Sequence, residues 1–309
     1  MVRCRVVLAL IWTIEIRAAR RALGFAALAE SASEPKPVYS NKSYSIVVEK
    51  KGQHYMNYTG TSANEAFLLS LVEKRNLPVF GVREIVYLSG WDRSRTHNTL
   101  ASLLRKGVTT RIKRDGYALT EGLSENIFRI ATELVKPSYI SFWTALSYYG
   151  FTEQQVKKIQ LVSTKQFGAL AAGDFGLEIV TLKASRFYGY KRTERFVIAE
   201  PEKALIDSLF RLDMCGGLDE LVKCLRNAWP DLDKRRLVEY AIRFGNKSVV
   251  SRAGHLIERH GLETGELDRL LAARSSPFVP LDPEAARIGK YDRKWRVIVN
   301  REIDREEIR

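Results

Sequence analysis

Apolar positions between residues 62 and 120 recur first at helical and then at strand spacing. Ser62 or Asn64 can cap a helix that carries Ala66, Phe67, Leu69 (with Leu68) and Val72 at three- and four-residue intervals. Pro78 ends the connection, and Val82, Ile85, Val86 and Leu88 predict a short helix over 82–88. Gly90 supplies a turn, and Asp92 or Ser94 can cap a third helix reaching about Lys106. At about 100° per residue, Thr96, Leu100, Leu103 and Leu104 share one face of that helix. Ser94, Arg95, Asn98, Ser102 and Arg105 are placed on the other. Gly107 closes the helix, and the period then drops to two, with Ile112 between Arg111 and Lys113. Asp115-Gly116 is a hairpin turn, after which Tyr117 and Leu119 return to the core. Three helices followed by a hairpin predict a winged helix-turn-helix over 62–122.

The remainder, 125–309, reads as a larger mixed α+β C-terminal domain, so the expected fold class is α+β. From Pro137 the stretch to Phe151 is dense in aromatics and is read as helical, with its rings buried. Strands are predicted over 158–164, 177–182, 196–199 and 295–299. Helices are predicted from Glu200-Pro201-Glu202 onward, then over 218–229, 232–245, 247–260 and 264–273. Residues 1–60 read as an extension and linker. Its apolar run, Val6–Ile14, is too short to span a bilayer and is followed at once by charges rather than a cleavage site. Met56 stands just ahead of the first strongly patterned segment and is a candidate native start.

Charge sharpens this picture. The 309 residues carry 50 Lys or Arg against 36 Asp or Glu, a formal net charge of +14. Such a field favours polyanionic partners. Between Trp91 and Arg114 there are seven Lys or Arg and one acid, Asp92, on a segment that also carries an apolar stripe. The cations therefore belong to a folded surface. Arg and Asn have the donors and acceptors that read guanine and adenine edges in a major groove, and cations on a wing suit phosphates. The candidate DNA-binding residues are Arg93, Arg95, Asn98, Arg105, Arg111, Lys113 and Arg114. Lys157, Lys158, Lys165, Arg186, Lys191, Arg192 and Arg195 form a second candidate basic face.

Other chemistry is sparse. Cys4, Cys215 and Cys224 have no metal-site spacing, and Cys215 and Cys224 read as core residues of a cytoplasmic protein. The four His residues lack such spacing too. Glu200, Glu202 and Asp207 invite a metal hypothesis, but acids opening a helix are better explained by capping and the helix dipole. Gly216-Gly217 is a turn, and no phosphate loop or nucleophile motif occurs. The expectation is a protein without catalytic activity, cofactor or metal.

The order of a winged helix, YISFWTALSYYGF (139–151), IAEPEKALIDSL (198–209), CGGLDEL (215–221) and KWRVIVN (294–300) resembles the AbiEi antitoxin family over roughly 62–300. That resemblance implies a DNA-binding antitoxin of a type IV toxin–antitoxin system linked to phage defence. It implies that the winged helix represses its own operon at inverted repeats upstream; repeated half-sites would in turn suit two copies on DNA, by dimerisation or cooperative loading. It also implies a functional partner, an AbiEii-type nucleotidyltransferase toxin, opposed without a stable complex. The segment before about Met56 departs from the family pattern. Two rival readings are a regulator whose C-terminal region senses a ligand or protein, and a nuclease using Glu200, Glu202 and Asp207.

Overall fold

In the computed structural model, residues 60–154, 158–172, 175–262 and 264–303 are described. The expected extension over 1–60 therefore lies almost wholly outside the described residues. The fold is mixed α+β. Helices α1 (Ala63–Lys74), α2 (Val82–Ser89) and α3 (Arg93–Arg105) lead into the hairpin β1 (Thr109–Lys113) and β2 (Gly116–Leu119). The period-3.6 stripes end up buried: Leu68, Leu69 and Val72 of α1, Val82 and Ile85 of α2, and Leu100 and Leu103 of α3. Phe80 and Tyr117 complete this small core. Phe80, in the link between α1 and α2, exchanges two backbone hydrogen bonds with Tyr117 (2.9 and 2.8 Å) and so adds a third short rung to the hairpin.

The body begins with α4 (Ile127–Leu134), β3 (Ser138–Ile140) and α5 (Phe142–Tyr148). Its main sheet adds β4 (Lys158–Ser163), β5 (Leu170–Ala172), β6 (Phe175–Thr181), β7 (Tyr190–Arg192) and β8 (Val197–Ala199). Their order is β5-β6-β4-β3-β8-β7, with β6/β4 and β3/β8 parallel and the other pairs antiparallel. Helices α6 (Pro201–Phe210), α7 (Leu218–Ala228), α8 (Lys234–Arg243), α9 (Lys247–Arg259) and α10 (Leu267–Ala273) follow. A second sheet closes the chain: β9 (Val279–Pro280), β10 (Lys290–Asp292) and β11 (Val297–Val299), in the order β10-β11-β9.

The helix expected from Pro137 is corrected. Ser138–Ile140 is a central strand, held by β4 on one side and β8 on the other, and the helix starts at Phe142. Paired backbone on both sides overrides the helical spacing of the aromatics. Tyr139, Phe142 and Phe151 are buried, whereas Tyr148 is exposed.

The hairpin is common to two cores. Tyr117 belongs to the small core and Leu119 packs against it. Ile112, at a register shift between Arg111 and Lys113, and Ala118 belong instead to the large core of the body. Beside it, the Arg129 guanidinium of α4 donates to the Asn76 side chain (2.6 Å) and to its backbone carbonyl. Asn76 follows α1 in a left-handed conformation (φ 51°), for which Asn is well suited.

Buried charge ties each core together: one carboxylate in the head and an ion pair in the body. Glu65 completes a capping box, accepting from the Ser62 amide (2.6 Å) while the Ser62 hydroxyl accepts from the Glu65 amide (3.4 Å). Lys106, beyond the end of α3, donates to the same carboxylate (2.8 Å) and to the Gly60 carbonyl (2.9 Å). Burial pushes the Glu65 carboxyl up, but hydrogen bonds from Lys106, Ser62 and Ser102 outweigh it and bring it from 4.5 down to about 2. In the body, Lys203 and Asp207 of α6 form a fully buried ion pair. Asp207 also accepts from Ser141 (2.8 Å) and Tyr139 (3.1 Å). Burial pushes the carboxyl of Asp207 up and the amine of Lys203 down, against their mutual attraction.

A carboxyl depressed in the folded state stabilises above its ordinary range and loses that effect as pH falls towards its folded value. Replacing Glu65 by Gln is expected to lose on the order of 2 kcal/mol near neutrality in urea unfolding. That gap should close as pH approaches about 2, and a gap independent of pH would contradict the assignment. Lys203→Met alone should lose about 3–5 kcal/mol by stranding Asp207, while Lys203→Met with Asp207→Leu recovers most of it. An equal loss in single and double variants would show that packing, not charge pairing, dominates there.

Candidate nucleic-acid interface

Asp92 caps α3, its carboxylate accepting from the Arg95 amide (2.8 Å). Thr96, Thr99, Leu100 and Leu103 form the buried side. At about 100° per residue the opposite meridian carries Ser94, Asn98, Ala101 and Arg105. Ser94, Asn98 and Arg105 are exposed, and Ala101 leaves the middle of that surface shallow. His97, which the sequence reading did not single out, is exposed beside them.

Other members of the predicted stripe lie on its flanks. Arg95 donates to the Asn64 side chain at the start of α1 (2.6 Å), and its guanidinium lies 4.2 Å above the Trp91 ring. Ser102 is half-buried and bonds the Glu65 carboxylate. The face proposed from spacing is thus rotated: α1 borders its Arg95–Ser102 edge. Arg93 sits on the opposite flank and is exposed. Lys106, counted among the seven cations, is engaged by Glu65.

The hairpin tip supplies the remaining cations. Arg111, Lys113 and Arg114 are exposed. Lys113 pairs with Gly116 across the turn, and Asp115 takes the left-handed conformation (φ 55°) that a tight hairpin requires. The link before α2 fixes the tip as well: a Cβ at Gly81 would stand 2.4 Å from the Asp115 carbonyl oxygen. Arg105, Arg111, Lys113 and Arg114 have no carboxylate partner among the described ion pairs. With Asn98, this set offers guanidinium, ammonium and amide donors on a helix face and the hairpin that follows, the groups from which phosphates and base edges accept.

The second basic face does not assemble as a unit. Lys157 lies outside the described residues. Arg186 turns inward, its Nε donating to the Phe244 carbonyl (2.9 Å) with the guanidinium over Phe210 and Phe244. Lys158 pairs with Glu178 (3.6 Å), and Arg195 donates to Asn126 (2.6 Å). Lys191 lies over the Tyr149 ring, on a strand separated from β4 by β3 and β8.

Of the three carboxylates of the metal hypothesis, Glu200 and Glu202 both stand 3.9 Å from Arg236, while Asp207 is paired elsewhere with Lys203. Glu200 accepts from the Tyr240 hydroxyl, Glu202 from the Asp233 amide (2.8 Å), and Asp207 from Lys203. Glu200 stands at the N-cap of α6 and Glu202 in its first turn, as expected, but no side chain caps the helix by a hydrogen bond, and Asp207 lies inside the helix, where it caps nothing. Among the described residues no three His, Cys, Asp or Glu side chains gather as a metal-binding group. Among the same residues no helix is long and apolar enough to cross a membrane.

No protein-family model matches the chain, and no curated protein matches it. Among solved structures the fold is similar to the RV2827C protein from Mycobacterium tuberculosis, with a TM-score of 0.58 at 14% identity. The match covers 77% of this chain and 91% of that one, and at such identity the likeness is one of fold.

Proposed function

We propose that the three helices and hairpin act as a winged helix-turn-helix that binds duplex DNA, with α3 in the major groove and the hairpin tip over the flanking backbone. The observation that carries this reading is the surface of α3: Asn98 and Arg105 are exposed on its outer face, Arg93 on its flank, and Arg111, Lys113 and Arg114 on the hairpin that follows it. Asn98 is suited to adenine and Arg105 to guanine, while the flanking cations neutralise phosphates. Taken with the resemblance of the chain to AbiEi proteins, we propose a DNA-binding antitoxin that represses its own type IV operon. Its counterpart is an AbiEii-type nucleotidyltransferase toxin, and its place of action is the cytoplasm.

A second reading has its own support. A cavity of about 200 Å³ lies where the head meets the body, lined by Val72, Leu77, Leu119, Asn126, Arg129 and Ile130 among others. A regulator that senses a small molecule there would have no antitoxin role. Co-expression separates the two: rescue of growth from the neighbouring toxin supports the antitoxin, and failure to rescue supports the sensor.

Fluorescence anisotropy on duplex DNA from the upstream region tests the interface. Lys113→Ala and Arg114→Ala should each lower the salt slope of log K by about one, on any sequence. Arg105→Ala and Asn98→Ala should cost about 1–3 kcal/mol on the operator and relax base preference there. Arg95→Ala should cost less than Arg105→Ala, because Arg95 is held by Asn64 and Trp91. Unchanged affinity and unchanged salt slope in an Arg105→Ala/Lys113→Ala double variant would defeat the assignment.

A further inference from the structure

Far along the chain from the head, residues 287–296 carry five cations (Arg287, Lys290, Arg293, Lys294, Arg296) and one acid, Asp292. The acid is turned inward. Its Oδ2 meets His255 Nδ1 (2.6 Å), and its Oδ1 accepts from the amides of Lys294 (2.9 Å) and Trp295 (3.1 Å). Lys294 is spent on Glu258. The other four cations have no carboxylate partner among the described ion pairs. Asp292 thus fixes a tight turn, with its carboxylate bonded to His255 and to the backbone of the turn.

Apolar groups stand among these cations. Tyr291 is 60% exposed and Ile288 82%. Tyr291 meets Phe278 at 4.9 Å between ring centres with planes at 83°, and the Arg296 guanidinium lies 5.2 Å from the Phe278 centroid. Arg287 reaches the Phe278 carbonyl oxygen at 3.5 Å, while Lys290 and Arg293 flank the cluster at the strand and the turn.

The platform is built rather than loose. β10 pairs along its length with β11, and a Cβ at Gly289 would stand 2.1 Å from the Val299 carbonyl oxygen. The chain entering Lys290 therefore lies flat against the sheet. Behind it the buried Trp295 fills the space left by Gly254 of α9, where a Cβ would come within 2.0 Å of its ring. A ligand would meet a backbone already held in place.

We propose that this face, made by Phe278, Tyr291, Arg287 and Arg296 with Lys290 and Arg293 at its margin, binds single-stranded nucleic acid. Unpaired bases stack on the exposed ring and guanidinium planes, and phosphates meet the cations. A base-paired duplex presents phosphates but hides its base faces, so it uses the cations alone. An acidic polypeptide also matches the charge but offers no repeated flat apolar unit to the rings. This site is separate from the duplex interface of the head and does not depend on it.

The test is fluorescence anisotropy of the full chain with a labelled oligothymidine of about 12 nucleotides at low ionic strength. Tyr291→Ala should weaken binding about 10-fold, Tyr291→Phe should preserve it, and Arg293→Ala should lower the salt slope. Arg105→Ala should leave this affinity unchanged, and Tyr291→Ala should leave affinity for duplex DNA unchanged, so the two sites fail independently. Heparin and polyglutamate supply charge without bases, and Tyr291→Ala should not alter their binding. The proposal is overturned if the oligonucleotide does not bind, or if Tyr291→Ala is neutral. It is overturned equally if polyglutamate binds as tightly as the oligonucleotide, or if binding is lost in Arg105→Ala.

Discussion

The constraint on which the rest depends is the double duty of one short hairpin. Successive residues of β2 face different cores: Tyr117 packs with Phe80 and the three helices, while Ala118 packs with the body. Strand alternation makes this possible, since neighbouring side chains leave a strand on opposite faces. Ile112 follows Ala118 into the body from the bulged strand. The hairpin is therefore a shared wall, and Arg129 adds a polar clamp from α4 to the end of α1. Slack between the two parts would have to break apolar contacts on one side of the hairpin.

That arrangement gives the proposed interface its economy. The residues offered to DNA lie at the free end of the hairpin and on the outer meridian of α3, whereas the inner halves of both elements are committed to packing. Of the acidic groups near the interface, Asp92 caps α3 and Glu65 is held by Lys106, while Asp115 is exposed in the turn of the hairpin. Local positive potential is thereby preserved on a folded surface. The C-terminal platform repeats this logic, with Asp292 turned inward beneath exposed cations.

Much of the head was legible because its helices have one buried face and short connections, so periodicity and caps agree. Ser62, Asp92 and Asp115-Gly116 all sit where their local chemistry places them. What spacing could not give was orientation about the α3 axis beyond its core face: α1 claims Arg95 and Ser102, a fact of tertiary packing. Helix α4 was missed although Ile127, Ile130, Ala131 and Leu134 follow helical spacing. Strands β3, β5, β7 and β10 have three residues each, too few to show a period, and their pairing partners are distant in sequence. The fates of Glu200, Glu202 and Asp207 were hidden for a related reason, since Tyr240, Asp233, Ser141 and Tyr139 come from other elements.

The most direct measurement of the central claim is hydroxyl-radical footprinting of the upstream region by the intact protein at low ionic strength. A helix in the major groove with a cationic hairpin beside it predicts discrete protected backbone segments. Two copies on repeated half-sites would set them about 10 base pairs apart, or a multiple of that. Uniform cleavage, with no protected segment at any protein concentration, would contradict the proposed grip on duplex DNA.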